Sequence, residues 1–328
     1  MRTILTLLLA AVVAASAWLA YGLLLPIGPE GQEKFVLLRS GSSARHIARD
    51  LKNAGVIRSA PAFLLWHYWR GVPRLKAGEY KFDHPANMRA VYERIVAGDI
   101  YVHTVVIPEG YNIFDIANAI QAAGLGSRDE FLGIARSDVS LISDLDPQAP
   151  SLEGYLFPDT YEFTRTQSLH DMVGAMVKRF RQESRQLGLI SDFHRVVTMA
   201  SVVEKETAVA AERPLVASVF YNRLRRDIVL ATDPSVIYAA LLAGRYDGVI
   251  HQSDLHFDSA YNTYRHLGLP PGPICNPGRE SLRAAMQPAN SDLLFFVSDN
   301  NGHHRFARTM EEHSRNVAAY RHAVAAAR

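Results

Sequence analysis

The run Phe193–Pro234, FHRVVTMASVVEKETAVAAERPLVASVFYNRLRRDIVLATDP, decides how the chain is read. Val196, Val197, Met199, Val202 and Val203 recur at helical spacing and stop at two acids, Glu204 and Glu206. Glu212-Arg213-Pro214 then restarts a helix with proline at an early position. Val216, Val219, Phe220 and Leu224 carry that helix to Arg225 and Arg226, cations that suit a helix C-terminus. The run predicts a helical hairpin with Glu204 near its bend.

A carboxyl at the end of an apolar helix is partly desolvated, which disfavours its charged form and raises its pKa toward the range of a general acid, as in a glycosidase. Residues two apart on a helix do not share a face, so the two acids have different jobs. Glu204 has Ala200, Ser201, Thr207 and Ala208 three and four residues away, small side chains that leave room for a substrate. Glu206 has Val202, Val203, Val209 and Ala210. Glu204 is therefore the expected acid, while Glu206 is expected either to pair with Arg213 or Lys205 or to be exposed. A solvated Glu-Lys-Glu cluster is the plainer reading of the triplet.

The chain has 328 residues, 48% of them hydrophobic and 21% charged, enough for two globular domains beside an anchor. A net charge of +2, with both signs mixed along the chain, supplies no basic stripe and argues against nucleic-acid binding. The single cysteine, Cys275, excludes an intrachain disulfide and reads as a small core residue. Residues 4–25, ILTLLLAAVVAASAWLAYGLLL, match the ~20 apolar residues that span a bilayer. Ala15-Ser16-Ala17 has the form of a signal-peptide cleavage site, but the apolar run continues past it, so an uncleaved transmembrane helix is expected.

Two segments echo each other. Val36–Gly41 followed by Ile47–Leu51 resembles Val105–Gly110 followed by Ile116–Ile120, each a strand, a glycine turn and a short helix, with Ser59 and Ser127 placed to cap a further helix. Trp66, Tyr68 and Trp69 could stack on a sugar, although burial is the commoner use of such aromatics. Residues 134–150 lose periodicity and read as a loop or linker, placing a domain boundary near Pro150. Beyond it, Glu153 is a second acid candidate. Asp233 begins a helix that it could cap, or it could orient a substrate hydroxyl. The Pro- and Gly-rich loop 259–278 carries Tyr261, Asn262 and Tyr264 and reads either as a rigid sugar-binding wall or as packing over the hairpin. Residues 292–307 predict a strand, a turn and a returning strand, followed by a last helix from Glu311. His303 and His304, adjacent in a strand, should face opposite ways, and no HExxH spacing occurs, so no metal and no cofactor are expected.

The sequence resembles the YceG-like family of endolytic murein transglycosylases. The resemblance rests on Ser151–Tyr161 (SLEGYLFPDTY), Val203–Thr207 (VEKET), Glu212-Arg213, Ala217–Phe220 with Asn222-Arg223-Leu224, Thr232–Val236 (TDPSV), Tyr261–Tyr264 (YNTY), Gly268–Ile274 and Asn276–Gly278. Ala231 departs from the family pattern, where Gln is expected. The resemblance implies an α+β fold in three parts: a transmembrane anchor over residues 1–29, a small LysM-like αβ domain over 30–150, and a mixed α+β catalytic domain over 151–328. It implies a single-pass protein of the cell inner membrane with a periplasmic body, acting on peptidoglycan glycan strands beside peptidoglycan synthases. It further implies cleavage of the MurNAc-β-1,4-GlcNAc bond within strands, leaving 1,6-anhydroMurNAc ends and terminating strand elongation. Glu204 would be catalytic, with Glu153, Asn222, Asp233, Tyr261, Asn262 and Tyr264 binding substrate. One carboxyl in two successive roles suits a helix that offers no facing partner. A muramidase using water and a second carboxylate, or a non-catalytic membrane-tethered glycan-binding scaffold, are the alternatives.

Overall fold

The computed structural model describes residues 2–29 and 31–326; Met1, Glu30, Ala327 and Arg328 lie outside them. The fold is mixed α+β, in two compact units. The first runs through Thr104 and takes back Glu162–Ser168; the second holds Val105–Tyr161 and the chain from Leu169 onward.

The first unit begins with helix α1 (Arg2–Leu24), whose length, with an 18-residue stretch of mean hydropathy 2.2, is that of a membrane span. Strand β1 (Lys34–Leu38) pairs antiparallel with β2 (Gly78–Phe82), from Lys34 opposite Phe82 to Leu38 opposite Gly78. Helices α2 (Ala44–Asn53), α3 (Ala60–Trp69) and α4 (Met88–Ala97) pack with the ribbon. Each starts where an oxygen side chain can accept an orphan N–H: Ser43 from His46, Ser59 from Ala62 and Asn87 from Ala90. Leu38, Leu51, Phe63, Tyr80 and Tyr92 form the buried centre. Trp66 is half-buried, whereas Tyr68 and Trp69 are exposed. The unit ends in strand β3 (His103–Val106), along which the chain passes to the second unit.

The second unit starts inside the region expected to belong to the first domain. Helix α5 (Ile113–Ala122), capped by Asn112, and α6 (Arg128–Ser137), capped by Ser127, bury Phe114, Ile116, Ile120 and Phe131 in its core. The internal echo is thus local: its second copy stands on the other side of the division at Thr104, which falls well before Pro150. Residues 134–150 are packed rather than a linker. Ile142 and Asp146 are buried, and the Asp146 carboxylate accepts from the Tyr155 hydroxyl at 2.6 Å and contacts His194 Nδ1 at 2.8 Å. A Ser/Asp/Pro-rich composition resembles a linker until its aspartate finds partners far along the chain.

After β4 (Thr160–Phe163) come α7 (Leu169–Leu187), α8 (Phe193–Glu206) and α9 (Arg213–Arg225). Helices α8 and α9 form the hairpin the sequence predicts. Then follow α10 (Asp233–Leu242), the single turn α11 (Gln252–Leu255) and α12 (Arg279–Met286), which packs along α8. The chain closes with β5 (Phe295–Ser298) and β6 (His304–Ala307), an antiparallel hairpin as expected, and α13 (Met310–Ala326). His303 and His304 do not diverge. His303 precedes the strand, so both rings reach Glu212, with Nδ1 contacts of 3.0 and 2.7 Å.

The loop 259–278 is held by buried amides. Asn262 Nδ2 donates to the carbonyls of Asp254, Leu255 and Phe257. Asn276 donates to the Tyr111 carbonyl and to Glu153, and accepts from the Leu156 N–H at 2.8 Å. Cys275 is fully buried, as expected. Where this loop crosses α8, Gly154 has φ +88°, and a Cβ there would stand 2.5 Å from Pro273 Cγ and 2.8 Å from Val197 Cγ1. Gly154→Ala combines overpacking with a backbone that alanine disfavours. It should cost about 2–4 kcal/mol, read as a lowered thermal midpoint; an unchanged midpoint would contradict this packing.

Candidate active site

Helix α8 is buried from Val196 to Val203, and its last turn emerges with the two acids. A rotation of 100° per residue sends them to different neighbours. The Glu204 side chain is 5% exposed; its Oε1 accepts from Arg213 Nη2 at 2.9 Å and its Oε2 from the Gly278 N–H at 2.9 Å. Both oxygens are committed. Arg213 also lies 3.5 Å from Glu109, whose carboxylate packs so close to Gly278 that a Cβ there, 1.9 Å from Oε1, would displace it. Enclosure, reinforced by the Glu204 charge, raises the Glu109 carboxyl above its ordinary range. Lys205 is exposed and donates to the Gly110 carbonyl.

The pairing expected for Glu206 therefore belongs to Glu204. Glu206 instead lines a cleft of about 450 Å³ with Arg223, Ala231, Asp233, Tyr264 and His313, floored by Phe220, Leu230, Phe295 and Phe296. Among the described residues no hydrogen bond or ion pair reaches its carboxyl. Enclosure, with Asp233 adding to it and Arg223 opposing, pushes Glu206 up from 4.5 to about 7.

The surroundings of the cleft are rigid. Arg223 donates through Nε to the Leu294 carbonyl and through Nη1 to the Leu230 carbonyl, each at 2.7 Å, and lies 5.4 Å over the Phe295 ring. The Tyr264 hydroxyl donates to Asp233 Oδ1 at 2.6 Å, joining the loop to the first turn of α10. Asp233 accepts this bond rather than capping the helix. His313 stacks on Phe295 at 5.1 Å, and burial, with the Arg223 charge adding to it, lowers its pKa.

Of the expected substrate-binding residues, Asp233 and Tyr264 stand in this cleft and the others do not. Glu153 is 1% exposed and accepts from the Ile113 N–H and Asn276; enclosure pushes it up to about 8, so it is a neutral core carboxyl. Asn222 is buried and donates to the carbonyls of Ser291 and Leu293, and Asn262 is the loop staple described above. Tyr261 packs on Tyr238 at 5.1 Å. Phe295, Phe296 and His313 are not among the expected site residues, and Arg223 is quoted only as part of the Asn222-Arg223-Leu224 motif, without a role. Arg223, three residues after Phe220 on the same helix, was the one with a readable signal.

The comparisons agree with this architecture. Residues 36–319 match the model of the YceG-like family. An endolytic murein transglycosylase of Bacillus subtilis (strain 168) is 34% identical over 86% of this chain and 83% of its own length. One from Streptococcus pneumoniae (strain D39) is 30% identical over 90% of this chain, which spans 60% of that relative. The crystal structure of a YceG-like protein from Listeria monocytogenes superposes with a TM-score of 0.57 at 33% identity, covering 87% of this chain and 99% of the other. The chain belongs to the YceG-like family. Ala231, the departure from the expected pattern, borders the cleft with φ +49° and donates its N–H to the Thr263 carbonyl at 3.0 Å.

The two acids should separate cleanly in stability. Glu204→Gln weakens a buried pair and leaves Arg213 short of a counter-charge, which costs about 3–5 kcal/mol when such a pair is broken and should lower the melting temperature markedly. Glu206 has a raised folded-state pKa, so the parent has its full stability below about 4.5 and loses some as pH rises through about 7. Glu206→Gln should melt with the parent in mild acid and at or above it at pH 8. A Glu204→Gln protein as stable as the parent would show that the pair is not structural.

Proposed function

We propose that this chain is a lytic transglycosylase that cuts peptidoglycan within its glycan strands, with Glu206 in place of Glu204 as the general acid. The observation that carries the assignment is an unpaired carboxyl pushed to about 7 at the wall of a cleft, in a chain of the YceG-like family. A carboxylic acid with a pKa near the working pH has a proton to give and is a competent base once it has given it.

In the proposed reaction, Glu206 protonates the oxygen leaving C1 of the muramyl sugar as the β-1,4 bond breaks. The resulting carboxylate takes the proton from the C6 hydroxyl of the same sugar, whose oxygen closes on C1 to form the 1,6-anhydro ring. No water enters the balance, and the proton lost in the first step is regained in the second. Intramolecular attack supplies the proximity that a bimolecular step would lack. Asp233 would receive a sugar hydroxyl, and Arg223 would steady the carboxylate that forms after protonation. Tyr264 would offer its ring to a sugar face.

We further read α1 as a single-pass anchor in the inner membrane, with the body on the periplasmic side next to peptidoglycan synthases whose nascent strands it would shorten. The paired β1 and β2 with their covering helices would serve as a LysM-like element that places strands for cutting, within the expected domain of residues 30–150. The expected catalytic domain, 151–328, would work together with α5 and α6.

Digestion of purified glycan followed by mass spectrometry tests the reading. The parent should release anhydromuramyl ends, at a rate falling about tenfold per pH unit above about 7 as Glu206 loses its proton. Glu206→Gln should reduce release at least ~10²-fold. Reducing ends would indicate hydrolysis, and an absence of cutting would indicate a scaffold. A fully active Glu206→Gln protein would remove Glu206 from the chemistry.

A further inference from the structure

Helix α3, APAFLLWHYW, carries no formally charged residue, and burial lowers the pKa of its one histidine, His67. Ala62, Phe63 and His67 face the core of the first unit. The opposite face is bare: Leu65, Tyr68 and Trp69, with Val72 just beyond, are 53, 58, 72 and 55% exposed. A helix apolar around its whole circumference belongs in a core or in a membrane. Ten residues are half of what a span requires, so crossing is excluded and lying at a surface is not.

The way α3 is fastened indicates what covers it. Leu65, Trp66 and Trp69 share an apolar groove of about 370 Å³ with Leu19 and Leu23 of α1, so the exposed face continues directly from the helix read as the anchor. Gly22 brings the two helices together: a Cβ there would stand 3.3 Å from Ala62 Cβ. Arg58 holds the approach to α3, lying 5.0 Å over the Tyr21 ring and donating to the Pro26 carbonyl at 2.9 Å. The segment from Leu19 to Leu24 covers roughly 7–8 Å along the helix axis, close to the depth of about 5–10 Å at which interfacial helices sit. Exposed Arg70 and Arg74 follow the aromatics, the order in which side chains meet a headgroup layer.

We propose that the outer face of α3 lies in the lipid at the membrane–water boundary, giving the first unit a second membrane contact beside α1. Leu65, Trp69 and Val72 enter the acyl-chain border, Tyr68 sits among the headgroups, and Arg70 and Arg74 meet lipid phosphates. The inference rests on the reading of α1 as a spanning helix. It adds that the first unit cannot swing freely about a single tether.

The test uses the full chain reconstituted into phosphatidylethanolamine–phosphatidylglycerol vesicles. An environment-sensitive thiol dye is placed at Tyr68→Cys, Val12→Cys or Lys52→Cys in turn, the native Cys275 being buried. Lipids brominated near the headgroup should quench and blue-shift the dye at 68, lipids brominated near the chain end should quench it at 12, and neither should reach 52. Adding Leu65→Ser and Trp69→Ser should abolish the blue shift at 68 and leave 12 unchanged. Quenching at 12 with a water-exposed signal at 68 overturns the inference alone. No quenching at 12 overturns the anchor reading and this inference with it.

Discussion

The ion pair between Arg213 and Glu204, completed by the Gly278 N–H, is the constraint on which the cleft depends. It joins the end of α8, the start of α9 and the start of α12 at one buried point. A carboxylate held by a guanidinium on one oxygen and an amide N–H on the other has little freedom to move. Because α8 is a regular helix to Glu206, fixing one acid toward Arg213 sets the direction of the other, two residues and roughly 200° further round. The cleft then needs no dedicated device to hold Glu206 in place.

Buried amides play the corresponding part for the loops. Asn262 and Asn222 spend their donors on backbone carbonyls, and Asn276 divides its donors between the Tyr111 carbonyl and Glu153. Each ties together segments that secondary structure leaves apart. Tyr264 can therefore project into solvent from a loop whose base is rigid, and its bond to Asp233 spans two fixed supports rather than two mobile ones.

Much of this was legible in the sequence, and the omissions share a cause. The α8–α9 hairpin, the apolar α1 and the C-terminal β-hairpin follow from periodicity and turn chemistry, which are local. Neighbours along one helix favour Glu204 over Glu206, yet the surroundings of the two acids are made by distant residues, Arg213 and Gly278 around the first and Arg223 and Asp233 around the second. Small residues around Glu204 left space that another part of the protein fills. Asn222, Asn262 and Glu153 bear the residue types of a sugar site, but an amide that binds a backbone carbonyl and one that binds a hydroxyl look identical in sequence. Residues 134–150 resembled a linker because the partners of Asp146, Tyr155 and His194, lie 9 and 48 positions away.

Helix α8 stops abruptly. Glu206 is its last residue, and Thr207 is already extended, with φ −141° and ψ 131°. The final carbonyls of a helix are unsatisfied and carry roughly half a negative charge between them, a field that opposes a carboxylate placed among them. The break at Thr207 thus adds a backbone contribution to the retention of the Glu206 proton, acting in the same direction as enclosure and Asp233. One further turn of helix would carry that negative end past the acid and leave the carboxyl easier to ionise. The length of α8 is in this sense a setting of its acidity, made by where the backbone ceases to coil.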